Sequence, residues 1–294
     1  HVVVLVVCFQ VVRRVLFEGE RAVGVEVESG GAIHQLSADR VILAAGAIDT
    51  PGILLRSGVG PADDLDRLGV EEVAENPNVG RQLLDHPGCA LFLLPRFGTQ
   101  TSRDHALIQT VCRFGSGFND LPNDMLMQPG SLVPTPHLEL PLVSIMVALG
   151  KPKGAGQLHW PSADPHARPE IRSRLFDHPD DRQMAVDALQ RIREVCRQPP
   201  IREFARIAWP RPAALEDQDR LAEVLTTVCD SGYHPCGTAP MGPDDDPDAA
   251  CDGRGRVRHT RGLHVADASL MPTIPSANIH LSVLMMAERL AEWL

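Results

Sequence analysis

The sequence has few basic residues and no basic cluster. Its 294 residues include 28 Lys and Arg against 38 Asp and Glu, which gives a formal net charge of -10. Proteins that bind nucleic acid need clustered Lys and Arg to face the phosphates. A long apolar run is also missing, because the nearly all-apolar Val2–Val7 segment is too short to span a bilayer. We therefore expect no nucleic-acid partner and no clear membrane segment.

The cysteines lack paired spacing. There are seven of them, an odd number, and no C-x-x-C pair occurs among them. This pattern favours a reduced, cytoplasmic setting over a disulfide framework. One group of residues offers soft ligands that a zinc ion could use: Cys229, His234, Cys236 and Cys251. Without a paired motif, we expect no metal site there.

In the first part of the sequence, short apolar runs alternate with turn residues. Hydrophobic residues make up 44% of the chain, which suits a globular core. The first predicted strands are Val2–Val7, Val11–Phe17 and Ala22–Val27. A further strand, Val41–Gly46, ends in small residues, as is typical where a backbone approaches a ligand closely.

A capped helix is predicted directly after that strand. Thr50 suits the N-cap, Pro51 the first helical position and Gly58 the carboxyl end. Strand, glycine turn and helix together are typical of a nucleotide-binding domain.

The middle of the chain has a different composition, with short apolar runs between loops rich in Pro and Gly. Its clearest helix is Asp180–Arg197, with Pro179 available for the first position. Leu215–Val228 is a second helix candidate. Towards the end, Leu263–Ala268 predicts another strand and Leu281–Leu294 a closing helix.

Four segments carry recognisable motifs in a fixed order. They are Gly46–Gly60 (GAIDTPGILLRSGVG), Asn78–Pro87 (NVGRQLLDHP), Tyr233–Gly242 (YHPCGTAPMG) and Val265–Ser282 (VADASLMP, then PSANIHLS). Together, and over essentially the whole chain, they resemble the signatures of the glucose-methanol-choline (GMC) family of FAD-dependent oxidoreductases. Each motif alone is modest evidence for this resemblance, whereas four motifs in the same order are strong evidence.

The resemblance implies a mixed α/β fold of two interleaved domains. Residues 1–87 and 234–294 would form part of a Rossmann-like FAD-binding domain. Residues 88–233 would form a substrate domain, built on a mainly antiparallel sheet backed by helices.

The resemblance also implies the site residues. The family's catalytic pair falls on His234 and His280, with Asn278 beside the flavin. The implied cofactor-binding residues are Val12, Ala44, Ala45, Gly46, Asp267, Ala268, Asn278 and Leu281. His86 and His264 are interpreted as structural residues of a loop and a strand.

The chemistry of alcohol oxidation explains why two histidines would suit this site. The reaction removes a hydroxyl proton and a hydride from the same C–OH group. Free histidine titrates near neutral pH, so His234 can accept the proton as a general base. His280 can hold the developing alkoxide by a hydrogen bond, and FAD takes the hydride. Oxygen or another acceptor would then reoxidise the flavin.

One family motif is missing from this sequence. The family's G-x-G-x-x-G segment, which holds the FAD pyrophosphate at a helix amino end, does not occur. We therefore expect the chain to be a carboxy-terminal part of an alcohol-oxidising enzyme that binds little FAD by itself. Two alternatives stay open: an inactive remnant without flavin, and a cyanohydrin lyase of the same family. Neither the alcohol nor the oligomeric state follows from the sequence.

Overall fold

The described part of the chain opens with a three-stranded antiparallel sheet. The computed structural model describes residues 6–99, 102, 104, 106–131 and 141–293. The strands of this sheet are β1 (Val11–Glu18), β2 (Arg21–Ser29) and β3 (Ala32–Ser37). Gly30 and Gly31 connect β2 to β3 at φ of 56° and 80°, a conformation that glycine adopts without steric cost.

The first two strands of this sheet were predicted from the sequence, whereas β3, whose side chains are all exposed, was not. Most of the predicted Val2–Val7 strand lies outside the described residues.

A strand, a helix and a small parallel pair follow. They are β4 (Val41–Leu43), α1 (Gly46–Arg56), β5 (Val59–Gly60), α2 (Ala62–Leu68) and β6 (Ala74–Glu75). The strands β5 and β6 pair in parallel. The prediction that α1 begins with Thr50 and Pro51 is wrong, because the helix starts at Gly46 and both residues lie inside it.

A contact from a distant loop makes the internal proline tolerable. Pro51 has no N–H to donate to the carbonyl of Ala47, four residues earlier. The hydroxyl of Thr238 donates to that carbonyl instead, at 2.7 Å. Local pattern could not reveal this replacement, because the donor lies 191 positions away.

The largest sheet lies in the middle of the chain and is antiparallel. The strands of this region are β7 (Pro87–Pro95), β8 (Cys112–Phe114), β9 (Met125–Gly130), β10 (Val143–Leu149), β11 (Gln157–His159), β12 (Glu170–Arg172), β13 (Ala205–Trp209) and β14 (Cys229–Ser231). The large sheet has the order β13-β7-β10-β9-β8, and β14 also pairs with β7. β11 and β12 form a separate antiparallel pair.

Three helices and a 3-10 helix accompany this sheet. They are α3 (Pro179–Arg197), α4 (Pro199–Phe204), the 3-10 helix Pro212–Glu216 and α5 (Gln218–Val228). The predicted start of α3 at Pro179 is confirmed. The predicted Leu215–Val228 helix is divided, because the side chain of Asp217 accepts from the backbone N–H groups of Asp219 and Arg220 and caps α5.

The end of the chain returns to the first part of the molecule. Its elements are β15 (Met241–Gly242), β16 (Cys251–Asp252), β17 (Leu263–Val265), the 3-10 helix Ala268–Leu270 and α6 (His280–Trp293). β15 pairs in parallel with β16, and β17 pairs in parallel with β4, residue for residue. This last pairing places both ends of the chain in one structural unit.

The buried apolar residues form two large clusters. One joins β1, β4, α1 and β17, and also includes Leu158 and Trp160 from the middle of the chain. The other joins β7 and β10 to α3 and α5. The mixed α/β fold class with a mainly antiparallel sheet and helices is therefore confirmed.

Candidate active site

His234 lies in a loop that pairs with the segment before β7. Cys236 exchanges two backbone hydrogen bonds with Leu84, each 2.9 Å long. The carboxylate of Asp85 accepts from the backbone N–H of His234 at 3.0 Å and also from the hydroxyl of Ser231. Asp85 therefore holds this loop against its own segment and fixes the place from which the His234 ring projects.

A second imidazole lies directly against His234. The Nδ1 atom of His86 is 2.9 Å from the Nδ1 atom of His234, and the two rings meet edge to face with centroids 5.0 Å apart. The Nε2 atom of His86 is 2.8 Å from the carbonyl oxygen of Pro275 and 3.2 Å from that of Gly150. His86 is buried, so this contact lies behind His234, away from solvent.

The other ring nitrogen of His234 faces the loop before α6. Its Nε2 atom is 3.0 Å from the side-chain nitrogen of Asn278, which is itself exposed. His280 begins α6 and is also exposed. Of these two residues, the one in hydrogen-bond contact with His234 in the described structure is Asn278.

Burial keeps both histidines neutral. Desolvation lowers the pKa of His234 below its ordinary value of 6.5, and the nearby Asp85 carboxylate opposes this shift. Desolvation likewise lowers the pKa of His86, against the carbonyl of Pro275, which acts in the opposite direction. A neutral His234 retains a ring lone pair at neutral pH, and a general base needs such a lone pair.

A carboxylate ties together the two segments that the sequence assigns to the cofactor. One oxygen of Asp267 accepts from the backbone N–H of Gly46 at 2.9 Å and from the hydroxyl of Thr50 at 2.6 Å. Its other oxygen accepts from the backbone N–H of Ser269 at 2.7 Å. Because Asp267 is buried, these contacts fix the turn between β4 and α1 against the end of β17.

This turn has the shape that a dinucleotide needs nearby. Ala44 and Ala45 are exposed, Gly46 has a φ of 84°, and a methyl group built on Gly46 would meet no atom within 4 Å. Small side chains beside open space let a flat ring or a ribityl chain lie close to the backbone. These residues therefore fit the predicted FAD.

The other predicted cofactor residues are spread over neighbouring elements. Val12 lies half-buried on β1, and its carbonyl accepts from Arg56 at 3.5 Å. Ala268 is buried in the 3-10 helix after Asp267. Leu281 is 76% exposed on α6, so its side chain is available to a ligand.

Sequence reasoning missed two residues of this site. It interpreted His86 as a structural loop residue, whereas the structure places it in contact with the predicted base, and it gave Asp85 no role. The available signal was the Asp-His pair directly before a buried apolar strand. His264, also interpreted as structural, lies buried on β17.

The described residues contain no group of three or more His, Cys, Asp or Glu side chains arranged to hold a metal ion. Within the same part of the chain, no helix has the length and apolar character needed to cross a membrane.

Comparison with known proteins gives consistent matches in sequence. Two family models, both described as GMC oxidoreductase, match residues 4–88 and 152–287. A 5-(hydroxymethyl)furfural oxidase from Methylovorus sp. is 34% identical over 96% of this chain and 55% of the relative. Oxygen-dependent choline dehydrogenase 1 from Chromohalobacter salexigens is 31% identical over 94% of this chain and 54% of the relative. The chain thus spans about half the length of the curated relatives it matches.

Solved structures agree with the fold. Pyridoxine 4-oxidase from Mesorbium loti superimposes with a TM-score of 0.87 at 26% identity, covering 97% of this chain and 57% of that protein. A formate oxidase superimposes with a TM-score of 0.86 at 22% identity, covering 96% and 59%.

Proposed function

This chain belongs to the GMC oxidoreductase family, whose members are FAD-dependent flavoproteins, and on that premise we propose that it oxidises an alcohol. The observation that carries the proposal is the orientation of His234. Its Nε2 atom faces Asn278 on the exposed side of the site, while its Nδ1 atom is held from behind by His86. A base presented in this way can reach the hydroxyl group of a small molecule.

The protein residues would divide the reaction between them. His234 accepts the hydroxyl proton at Nε2. The side-chain nitrogen of Asn278 contacts the Nε2 atom, and His280 is exposed at the start of α6, two residues further along the chain. We propose that each of these two residues donates a hydrogen bond to the substrate oxygen as its negative charge develops. FAD, when bound, would supply the electron sink for the hydride that leaves the carbon.

The cofactor would lie along the turn that Asp267 organises. In this proposal the small residues Ala44, Ala45 and Gly46 let it approach the backbone, and Asp267 holds that turn in place through Gly46 and Thr50. The remaining residues that we propose to contact FAD are Val12, Ala268, Asn278 and Leu281.

We further propose that residues 1–87 and 234–294 form the cofactor domain and residues 88–233 the substrate domain. The separation of the two large apolar clusters supports this division. Trp160 and Leu158 cross the boundary by packing in the first cluster, so the two domains would share part of their core.

The substrate class is proposed from chemistry and from the relatives' names. 5-(Hydroxymethyl)furfural, choline and pyridoxine each carry a primary alcohol, although the rest of each molecule differs. We therefore propose a primary alcohol as the substrate, with oxygen or another acceptor completing the cycle.

Anaerobic flavin bleaching tests this function. The whole protein that carries this chain is loaded with FAD and mixed without oxygen with 5-(hydroxymethyl)furfural, choline, pyridoxine and benzyl alcohol, and the visible flavin absorbance is followed. Bleaching by at least one alcohol is expected, and the methyl ether of that alcohol should cause none, because it has no hydroxyl proton to lose. Failure of every alcohol, with a flavin that dithionite still reduces, would contradict the proposal.

A further inference from the structure

His86 is a buried titratable residue beside the proposed base, and the proposed mechanism gives it no role. His86 is 1% exposed, and its ring lies between the base His234 and the chain around Pro275. Both of its ring nitrogens are within hydrogen-bond distance of a neighbour. Those neighbours decide where the protons of both histidines reside.

The Nε2 atom of His86 must carry a proton. It faces the carbonyl oxygens of Pro275 at 2.8 Å and Gly150 at 3.2 Å. Carbonyl oxygens only accept hydrogen bonds, so a bare Nε2 lone pair there would be repelled by both. Buried polar groups without partners are costly, which selects the Nε2–H form of His86.

The protonation of His86 at Nε2 determines which ring nitrogen of His234 carries the proton. A neutral imidazole with its proton on Nε2 offers only a lone pair at Nδ1. The two Nδ1 atoms are 2.9 Å apart, so one must donate and the other must accept. His86 accepts, and the Nδ1 atom of His234 therefore donates.

We propose that His86 is a positioning residue that holds His234 as its Nδ1–H tautomer, so that the lone pair of the base is on Nε2, where the substrate would bind. The inference deepens the proposed function, and its catalytic consequence rests on that function. The side-chain nitrogen of Asn278 donates to the same Nε2 lone pair at 3.0 Å, and in the reaction the substrate hydroxyl takes this place.

Two features of the surroundings agree with a neutral pair. Burial lowers the pKa of both rings, so neither is a cation at neutral pH. The nearby Asp85 carboxylate is engaged by the backbone N–H groups of His86 and His234 and by the Ser231 hydroxyl, not by a ring nitrogen. The orienting partner of the base is therefore an uncharged imidazole.

Nitrogen NMR measures the tautomers directly and does not depend on turnover. In the protein labelled with 15N-histidine at neutral pH, two-bond correlations distinguish a protonated ring nitrogen from a bare one. We expect His234 to be protonated at Nδ1 and His86 at Nε2. A His234 that is protonated mainly at Nε2 in the unsubstituted protein would overturn the proposal, whatever the behaviour of any variant.

Substitutions at His86 test whether it causes this state. His86→Phe keeps a ring of similar size and removes the acceptor, so the proton of His234 should shift towards Nε2. His86→Asn places an amide oxygen near the former Nδ1 position and should restore the Nδ1–H form. His264→Phe, which removes another buried imidazole, should leave His234 unchanged. An unchanged His234 in folded His86→Phe would contradict the inference.

The flavin reaction separates this inference from the proposed function. In FAD-loaded protein, His86→Phe should slow alcohol-dependent flavin reduction by about 10- to 100-fold, which is at most the lower end of the contribution of a general base, because His234 itself is still present. His86→Asn should recover part of the rate. Normal reduction in His234→Ala beside the expected tautomers would refute the proposed function alone. An Nε2–H tautomer in the unsubstituted protein, beside inactive His234→Ala, would refute the inference alone.

Discussion

Replacing Asp267 by asparagine should destabilise the fold, although the two side chains have nearly the same shape. The carboxylate receives three donors: the N–H of Gly46, the hydroxyl of Thr50 and the N–H of Ser269. The side-chain amide of asparagine has one oxygen atom that accepts hydrogen bonds and one NH2 group that only donates them. Whichever way it turns, its NH2 group faces a backbone N–H, and that backbone group loses its acceptor.

The magnitude follows from these contacts. An unpaired buried N–H costs about 1–3 kcal/mol, and each surviving bond loses the advantage of an ionised acceptor, about 1 kcal/mol. Asparagine avoids the cost of burying a charge, which offsets part of the loss. We therefore expect the free energy of unfolding to fall by about 2–4 kcal/mol.

Urea unfolding followed by circular dichroism measures this change. The transition midpoint should fall while the slope with denaturant stays constant. Asp39→Asn is the matched control, because Asp39 is fully exposed and its ion pair with Arg21 is long, at 3.9 Å, so its loss should leave the transition midpoint nearly unchanged. Equal, small effects of Asp267→Asn and Asp39→Asn would refute the account of this turn.

Two further predictions concern stability. Thr238→Val should lower the free energy of unfolding in urea by about 1–3 kcal/mol, because it leaves the Ala47 carbonyl without its 2.7 Å donor. The control Thr227→Val removes an exposed hydrogen bond from a hydroxyl to a carbonyl and should lower it by less than about 0.5 kcal/mol. Equal losses in the two variants would refute this explanation of the internal proline. Because burial lowers the folded pKa of His86 and His234 below 6.5, the unfolded state binds more protons in acid, and stability should fall as pH drops through 6.5 towards the folded pKa values. Urea unfolding between about pH 8 and about pH 5 measures how the free energy of unfolding changes with pH. Replacing both His86 and His234 by Gln should reduce the slope of free energy against pH. An unchanged slope would contradict the assignment of this pH dependence to the two histidines.

Local sequence patterns predicted the elements that depend on local interactions. The helix α3 begins at Pro179 with Asp180 and Asp181 in its first turn, as its sequence indicates. The strands β1 and β2 were predicted from short apolar runs separated by turn residues. His234 was identified from a motif; the structure shows its Nδ1 atom against His86 and its Nε2 atom against Asn278, and its role as a base stays a prediction.

Features that depend on distant contacts could not be predicted in this way. The start of α1 depends on Asp267, which is 221 positions from Gly46, and on Thr238. The contact between His86 and His234 joins residues 148 positions apart. The first feature arises when β17 pairs with β4, and the second when β14 pairs with β7 and Cys236 pairs with Leu84.

We propose that His234 removes the hydroxyl proton during alcohol oxidation. The decisive measurement is the rate of anaerobic flavin reduction by a saturating alcohol in FAD-loaded His234→Ala, with His34→Ala, an exposed change on β3, as the control. We expect His234→Ala to lower this rate by about 10²- to 10⁴-fold at unchanged FAD content, and His34→Ala to leave it unchanged. A rate in His234→Ala close to that of the unsubstituted protein would contradict it.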